Sequence, residues 1–129
     1  ALLTKAQGER HVCYLARTSE GELVGCINLN EIVRGVFLST YLGYYAFAPL
    51  QGKGLMRAAL AAAVEQAFGP LGLHRVEANV QPGNTRSIAL LRSLGFRYEG
   101  TSPNYLRIAG AWREHARYAL TTEDDFAGA

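Results

Sequence analysis

Gln51-Gly52-Lys53-Gly54-Leu55-Met56 decides the reading of this chain, because it stands where one backbone period gives way to another. Before it, Val36 to Phe47 is rich in aromatic and β-branched residues and reads as a long strand, closed by Pro49. After it, Met56, Leu60, Val64 and Phe68 recur every fourth residue, with Arg57, Glu65 and Gln66 elsewhere, which is the pattern of an amphipathic helix ended by Gly69-Pro70. Glycines in a strand-to-helix turn let a ligand approach the backbone. The unpaired N–H groups and positive dipole end of the helix's first turn then favour an anion. The stretch lacks the Gly-Lys-Ser/Thr ending of a nucleoside-triphosphate loop and the third glycine of a dinucleotide fingerprint, so neither reading is supported. A plain tight turn remains the alternative on this stretch alone.

Outward from the turn, elements continue to alternate. His74 to Val80 reads as a short strand broken by Gln81-Pro82-Gly83, and Thr85 to Leu94 returns to helical spacing through Ile88, Leu91 and Leu94. Gly95 falls where a left-handed C-terminal cap belongs. Phe96 to Thr101, Tyr105 to Ile108 and Trp112 to Leu120 read as closing strands, the last two joined by a turn at Ala109-Gly110. On the other side, His11 to Arg17 and Glu22 to Leu29 flank Ser19-Glu20-Gly21 and read as a β-hairpin. Ala1 to Gln7 carries helix-forming residues up to Gly8 and reads as the last turns of a helix. This order predicts an α+β or mixed-sheet domain with helices packed on the sheet.

Composition limits what such a fold can do. At 129 residues the chain is sized for one domain, 1–129, and 49% apolar content with seven Tyr, five Phe and one Trp is enough to build a core rather than a disordered segment. The longest apolar run, Ala58 to Val64, is far short of the roughly 20 residues that cross a bilayer. No membrane association is expected. A net charge of +2 without a basic stripe gives no reason to expect nucleic-acid binding. Cys13 and Cys26 lack metal-ligand spacing and read as reduced thiols of a cytoplasmic protein, so no metal is expected. A role for Cys13 as an acyl-carrying nucleophile has no base beside it in sequence.

Gln51 to Met56 resembles the Q/R-x-x-G-x-G/A signature of the GNAT N-acetyltransferases, with Met56 at the position of its last small residue. Asn84-Thr85-Arg86-Ser87-Ile88-Ala89-Leu90-Leu91-Arg92-Ser93-Leu94-Gly95-Phe96 resembles the second motif of that family, an Asn-initiated helix ending in Leu-Gly-Phe. Tyr98-Glu99-Gly100, Asn104-Tyr105-Leu106 and Gly110 to His115 look like the branch that acetylates ribosomal-protein alanine, the RimJ/RimL type. The resemblance spans Tyr44 to Leu120. It implies the GNAT fold, a central, mostly antiparallel twisted sheet flanked by helices, here without its N-terminal strand and helices. It also implies acetyl transfer from acetyl-CoA by direct attack in a ternary complex, to the α-amino group of a ribosomal or other protein. A small amine such as a polyamine or aminoglycoside is the alternative acceptor, and acyl-CoA binding without turnover is a third reading. A monomer or homodimer in the cytoplasm is expected.

Site residues follow from the same resemblance. The pantetheine arm is expected along the strand at Ala46 and Phe47, with a backbone N–H there polarising the thioester carbonyl, and the pyrophosphate on the amides of Gln51, Gly52, Lys53, Gly54, Leu55 and Met56. Lys53 and Arg57 add positive charge, and Asn84 contacts the pantetheine while capping its helix. Ser87 and Tyr105 are the expected proton donors, with Glu77 as a base acting through water. Two positions depart from the family pattern. Leu91 stands where many relatives carry a Tyr acid, and Asn104 stands where the branch carries an acidic residue. His74 and His115 read as structural or surface residues, and one of Tyr41, Tyr44 and Tyr45 is a candidate for the acceptor groove.

Overall fold

The computed structural model describes residues 2–47 and 54–126, which form a seven-stranded sheet in the order β1-β2-β3-β4-β5-β7-β6 with two helices. The strands are β1 (Leu2–Gln7), β2 (Val12–Arg17), β3 (Leu23–Val33), β4 (Ser39–Ala46), β5 (Arg75–Val80), β6 (Arg97–Ile108) and β7 (Ala111–Thr121). The helices are α1 (Leu55–Phe68) and α2 (Thr85–Ser93). Only the β4–β5 pair is parallel. A parallel neighbour needs a crossover, and α1 provides it.

Alternation along the strands puts one face of the sheet against α1. Val12, Tyr14 and Ala16 of β2, Ile27 and Leu29 of β3, Val76 and Ala78 of β5 and Tyr118 and Leu120 of β7 join Ala59, Leu60, Ala63, Val64 and Ala67 in one buried cluster. The alanines of α1 let it lie close over β1, β3 and β5. Gly25 serves the same approach, because a Cβ there would meet the Tyr45 carbonyl oxygen at 2.6 Å and the Met56 sulfur at 3.0 Å.

The hairpin, the strand before the glycine turn and both helices lie where the sequence places them. Gly95 has φ +99°, its N–H bonds the Arg92 carbonyl at 3.0 Å and the Phe96 N–H bonds the Leu91 carbonyl at 3.1 Å. This pair of bonds is a Schellman cap. Two expectations are corrected. The Ala1 to Gln7 segment is not helical, since Leu2–Gln7 is strand β1, in antiparallel register with β2 from Leu2↔Arg17 to Gln7↔Val12. A paired edge outweighs weak helix propensity over so few residues. The segments 96–101 and 105–108 belong to one strand, β6, whose register slips between Ser102 and Leu106. Pro103 has no N–H to give the ladder and Asn104 takes φ +49°, so the chain bulges there without ending the strand.

Candidate active site

The site arises where the parallel pair separates. β4 and β5 stay in register from Ser39↔Arg75 to Leu42↔Ala78. Beyond that point β4 follows β3 as far as Ala46↔Gly25, while β5 follows β7 as far as Val80↔Ala116. A cavity of about 570 Å³ occupies the opening, lined by Gly43 and Tyr44 on one side, Asn79 and Val80 on the other, and Asn84, Ser87, Ile108 and His115 around them. A second cavity of about 410 Å³ continues toward α1, lined by Tyr45, Ala46, Gly54, Met56, Arg57, Arg86 and Leu90. Tyr44, Asn84 and Ser87 border both. The two spaces therefore meet at these three side chains.

The second cavity suits a phosphorylated chain. Gly54, at φ +71°, caps the start of α1, and a Cβ there would touch none of the described residues within 4 Å. Among the described residues no side chain caps the first turn of α1 and no acidic residue lies in it, so its partial positive charge reaches the cavity without an internal anion. Arg57 and Arg86 line the same wall. The Arg57 guanidinium is also tied to the end of α2, through the Ser93 carbonyl at 2.8 Å and the Ser93 hydroxyl at 3.1 Å. Gln51, Gly52 and Lys53 lie outside the described residues. Leu55 packs against the core, so its contribution to an anion site is its backbone. The Phe47 N–H donates to the Val24 carbonyl at 2.9 Å, which commits it to the sheet, and the Phe47 ring meets Tyr45 edge to face. Ala46 lines the cavity.

Asn84 is the N-cap of α2, its Oδ1 accepting from the Ser87 N–H at 3.2 Å. Asn84 itself lines both cavities. Ser87, nearly buried in the first turn, is hydrogen bonded through its hydroxyl to the Tyr44 phenol. Burial pushes the Tyr44 phenol up, the Ser87 hydrogen bond opposing this in part, so the phenol stays protonated at neutral pH. Tyr45 lies on the other face and is exposed.

Glu77 and Tyr105 do not line either cavity. Glu77 is buried on β5 and its Oε1 accepts from Arg75 at 2.7 Å; the same guanidinium holds Glu99 at 2.6 Å. Burial, and then the charge of Glu77 across the β4–β5 register, raise the Tyr41 phenol. Tyr105 reaches the opening indirectly, its ring 6.4 Å from that of His115. Among the polar lining residues, Asn79, Gln81, Arg86 and His115 have no role in binding or catalysis assigned from the sequence, and Tyr44 is one of the three tyrosines named for the acceptor groove. Asn79 Oδ1 is buried there without a hydrogen-bond partner among the described residues.

A mixed sheet that opens between two parallel strands, facing the starts of two helices, defines the class of this protein. The chain belongs to the acetyltransferase (GNAT) domain family, whose profile matches residues 2–97. It is 44% identical over 118 residues to the [ribosomal protein uS5]-alanine N-acetyltransferase of Escherichia coli (strain K12), covering 92% of this chain and 61% of that protein. It is 36% identical over 107 residues to the probable N-acetyltransferase YjcK of Bacillus subtilis (strain 168), covering 83% and 59%. Among solved structures, Mycobacterium smegmatis RimJ in complex with CoA-disulfide superposes with a TM-score of 0.84 at 38% identity, covering 88% of this chain and 54% of that one. The chain thus spans about 60% of the length of the curated relatives it matches.

Proposed function

We propose that this chain is the catalytic domain of an acetyl-CoA-dependent N-acetyltransferase whose acceptor is the α-amino group of a protein, a ribosomal protein being the first candidate. The observation that carries the reading is the meeting of two cavities at Tyr44, Asn84 and Ser87. One has the backbone and cations for a phosphorylated pantetheine, and the other is open to an amine. The 44% identity to a uS5-alanine N-acetyltransferase supports the choice of acceptor.

Acetyl-CoA supplies the activated acetyl group; the protein's part is to hold it and manage protons. The first-turn backbone of α1 at Gly54, Leu55 and Met56, with Arg57 and Arg86, holds the phosphates. Ala46 lines the path of the arm and Asn84 offers its side-chain N–H groups to the arm's amides. Ser87 delivers a proton to the departing sulfur.

The test is thiol release from acetyl-CoA with three acceptors: an alanine-terminated peptide, spermidine and buffer alone. The reading expects release with the peptide well above the other two. Preference for spermidine would move the acceptor to small amines, and CoA binding without release would make the chain a binding module.

A further inference from the structure

His115 sits on β7 with 3% of its surface exposed, yet its ring forms part of the wall of the larger cavity. Its Nδ1 lies 3.0 Å from the Arg113 carbonyl oxygen. A carbonyl only accepts, so Nδ1 carries the hydrogen, and in the neutral ring Nε2 carries the lone pair. Nε2 has no hydrogen-bond partner among the described residues. Asn79 lines the same cavity, its Oδ1 buried without a hydrogen-bond partner among the described residues. An open ring acceptor in a cavity that Ser87 also lines suits a ligand that brings N–H groups, and an ammonium does. No carboxylate competes for that role, because Glu77 is held by Arg75 off the cavity wall and position 104 is an amide.

From this geometry we infer that His115 is the catalytic base, the group that takes a proton from the acceptor ammonium. The inference rests on the acetyltransferase reading above. Nε2 accepts one proton from the ammonium nitrogen. That nitrogen, now with a lone pair, bonds to the acetyl carbon as the carbon–sulfur bond breaks. Its second proton goes to the sulfur by way of the Ser87 hydroxyl, and the proton on His115 returns to water, so charge and atoms balance. Tyr105 and Ser102 of β6 stand against His115, while Asn79 of β5, Ser87 of α2 and its N-cap Asn84 line the same cavity. Arg113 and Arg117 stand two residues to either side on β7. None of these is a carboxylate that would share the proton.

His115→Asn separates this role from a structural one, because the Asn amide nitrogen overlays Nδ1 and keeps a donor for the Arg113 carbonyl while removing Nε2. The purified chain is assayed with acetyl-CoA and alanine-terminated peptides. The expected result is a drop of about a hundredfold in kcat/KM, with CoA affinity unchanged and the acidic limb of the pH profile abolished. A rate within threefold of the parent, or a retained acidic limb, overturns the assignment. Should the variant not fold, the parent chain decides alone. An acidic limb that stays in place across acceptors of different amine pKa supports His115, and one that tracks the acceptor's own pKa refutes it. Absence of turnover by the parent with every amine would instead remove the acetyltransferase reading.

Discussion

The Tyr44 phenol on β4 and the Ser87 hydroxyl on α2 share a hydrogen bond across the mouth where the two cavities meet, although 43 residues separate them in the chain. It is a polar link between the strand that would carry the acetyl arm and the helix that borders it. Either hydroxyl can donate, but burial keeps the phenol protonated, so in the proposed transfer Tyr44 would donate to Ser87 as Ser87 donates to the sulfur.

Ser87→Ala and Tyr44→Phe should therefore lower kcat together. Loss of the Ser87 hydroxyl is expected to cost one to two orders of magnitude, and Tyr44→Phe about tenfold, with KM for acetyl-CoA little changed. Steady-state kinetics on both single variants and the double one form a cycle. The double variant should be no slower than Ser87→Ala alone, because the phenol acts through the serine.

Gly54→Glu should abolish CoA binding by placing a carboxylate at the positive end of α1. Calorimetry on the parent and the variant checks this directly. Since a Cβ at Gly54 meets none of the described residues, any fall in stability comes from the left-handed backbone, about 1 kcal/mol.

Gly25→Ala should destabilise the fold through contact rather than conformation. The new methyl would lie 2.6 Å from the Tyr45 carbonyl oxygen, which belongs to a paired strand and has little room to move. A loss of about 2 kcal/mol is expected, read from urea unfolding.

Acid should expose the ion-pair network at the far end of β5. Hydrogen bonding from Arg75, opposed in part by burial and aided by Arg97, holds Glu99 down to about 2 from an ordinary 4.5. A depressed carboxylate stabilises the folded state fully above the unfolded value, and that contribution is lost as pH falls from about 4.5 toward 2. Glu99→Gln should lower stability at neutral pH by at most about 3 kcal/mol and flatten the unfolding curve in that window. Urea midpoints measured from pH 7 down to pH 3 check it.

Much of this architecture was legible because the signals were local. Gly95 after a helical period and the turn at Ser19-Glu20-Gly21 each act within a few residues. The edge strand Leu2–Gln7 was not legible, because its conformation comes from pairing with β2 rather than from its own residues. In the site, Ser87 and Asn84 were legible from the helix they begin. Tyr44 was legible only as one of three tyrosines and His115 not at all, since only the parting of β4 from β5 brings strand, helix and β7 to one opening. Spacing along the chain carries no trace of that.

Cys13 and Cys26 lie on adjacent strands with their sulfurs 3.5 Å apart, outside both cavities. Burial, then the hydrogen bond with Cys26, raises the Cys13 thiol, which disfavours the nucleophilic thiolate at neutral pH. Cys13→Ser should leave acetyl transfer unchanged in a steady-state assay.

The central claim is that an acetyl group passes to an α-amino nitrogen held in the opening between β4 and β5. Mass spectrometry of an alanine-terminated peptide, after incubation with the chain and acetyl-CoA, tests it most directly. The account predicts one added acetyl group, located on the α-amino nitrogen by fragmentation and formed about a hundredfold more slowly when His115→Asn replaces the parent. Bound CoA with an unmodified peptide, or an acetyl group found only on a lysine side chain, would contradict it.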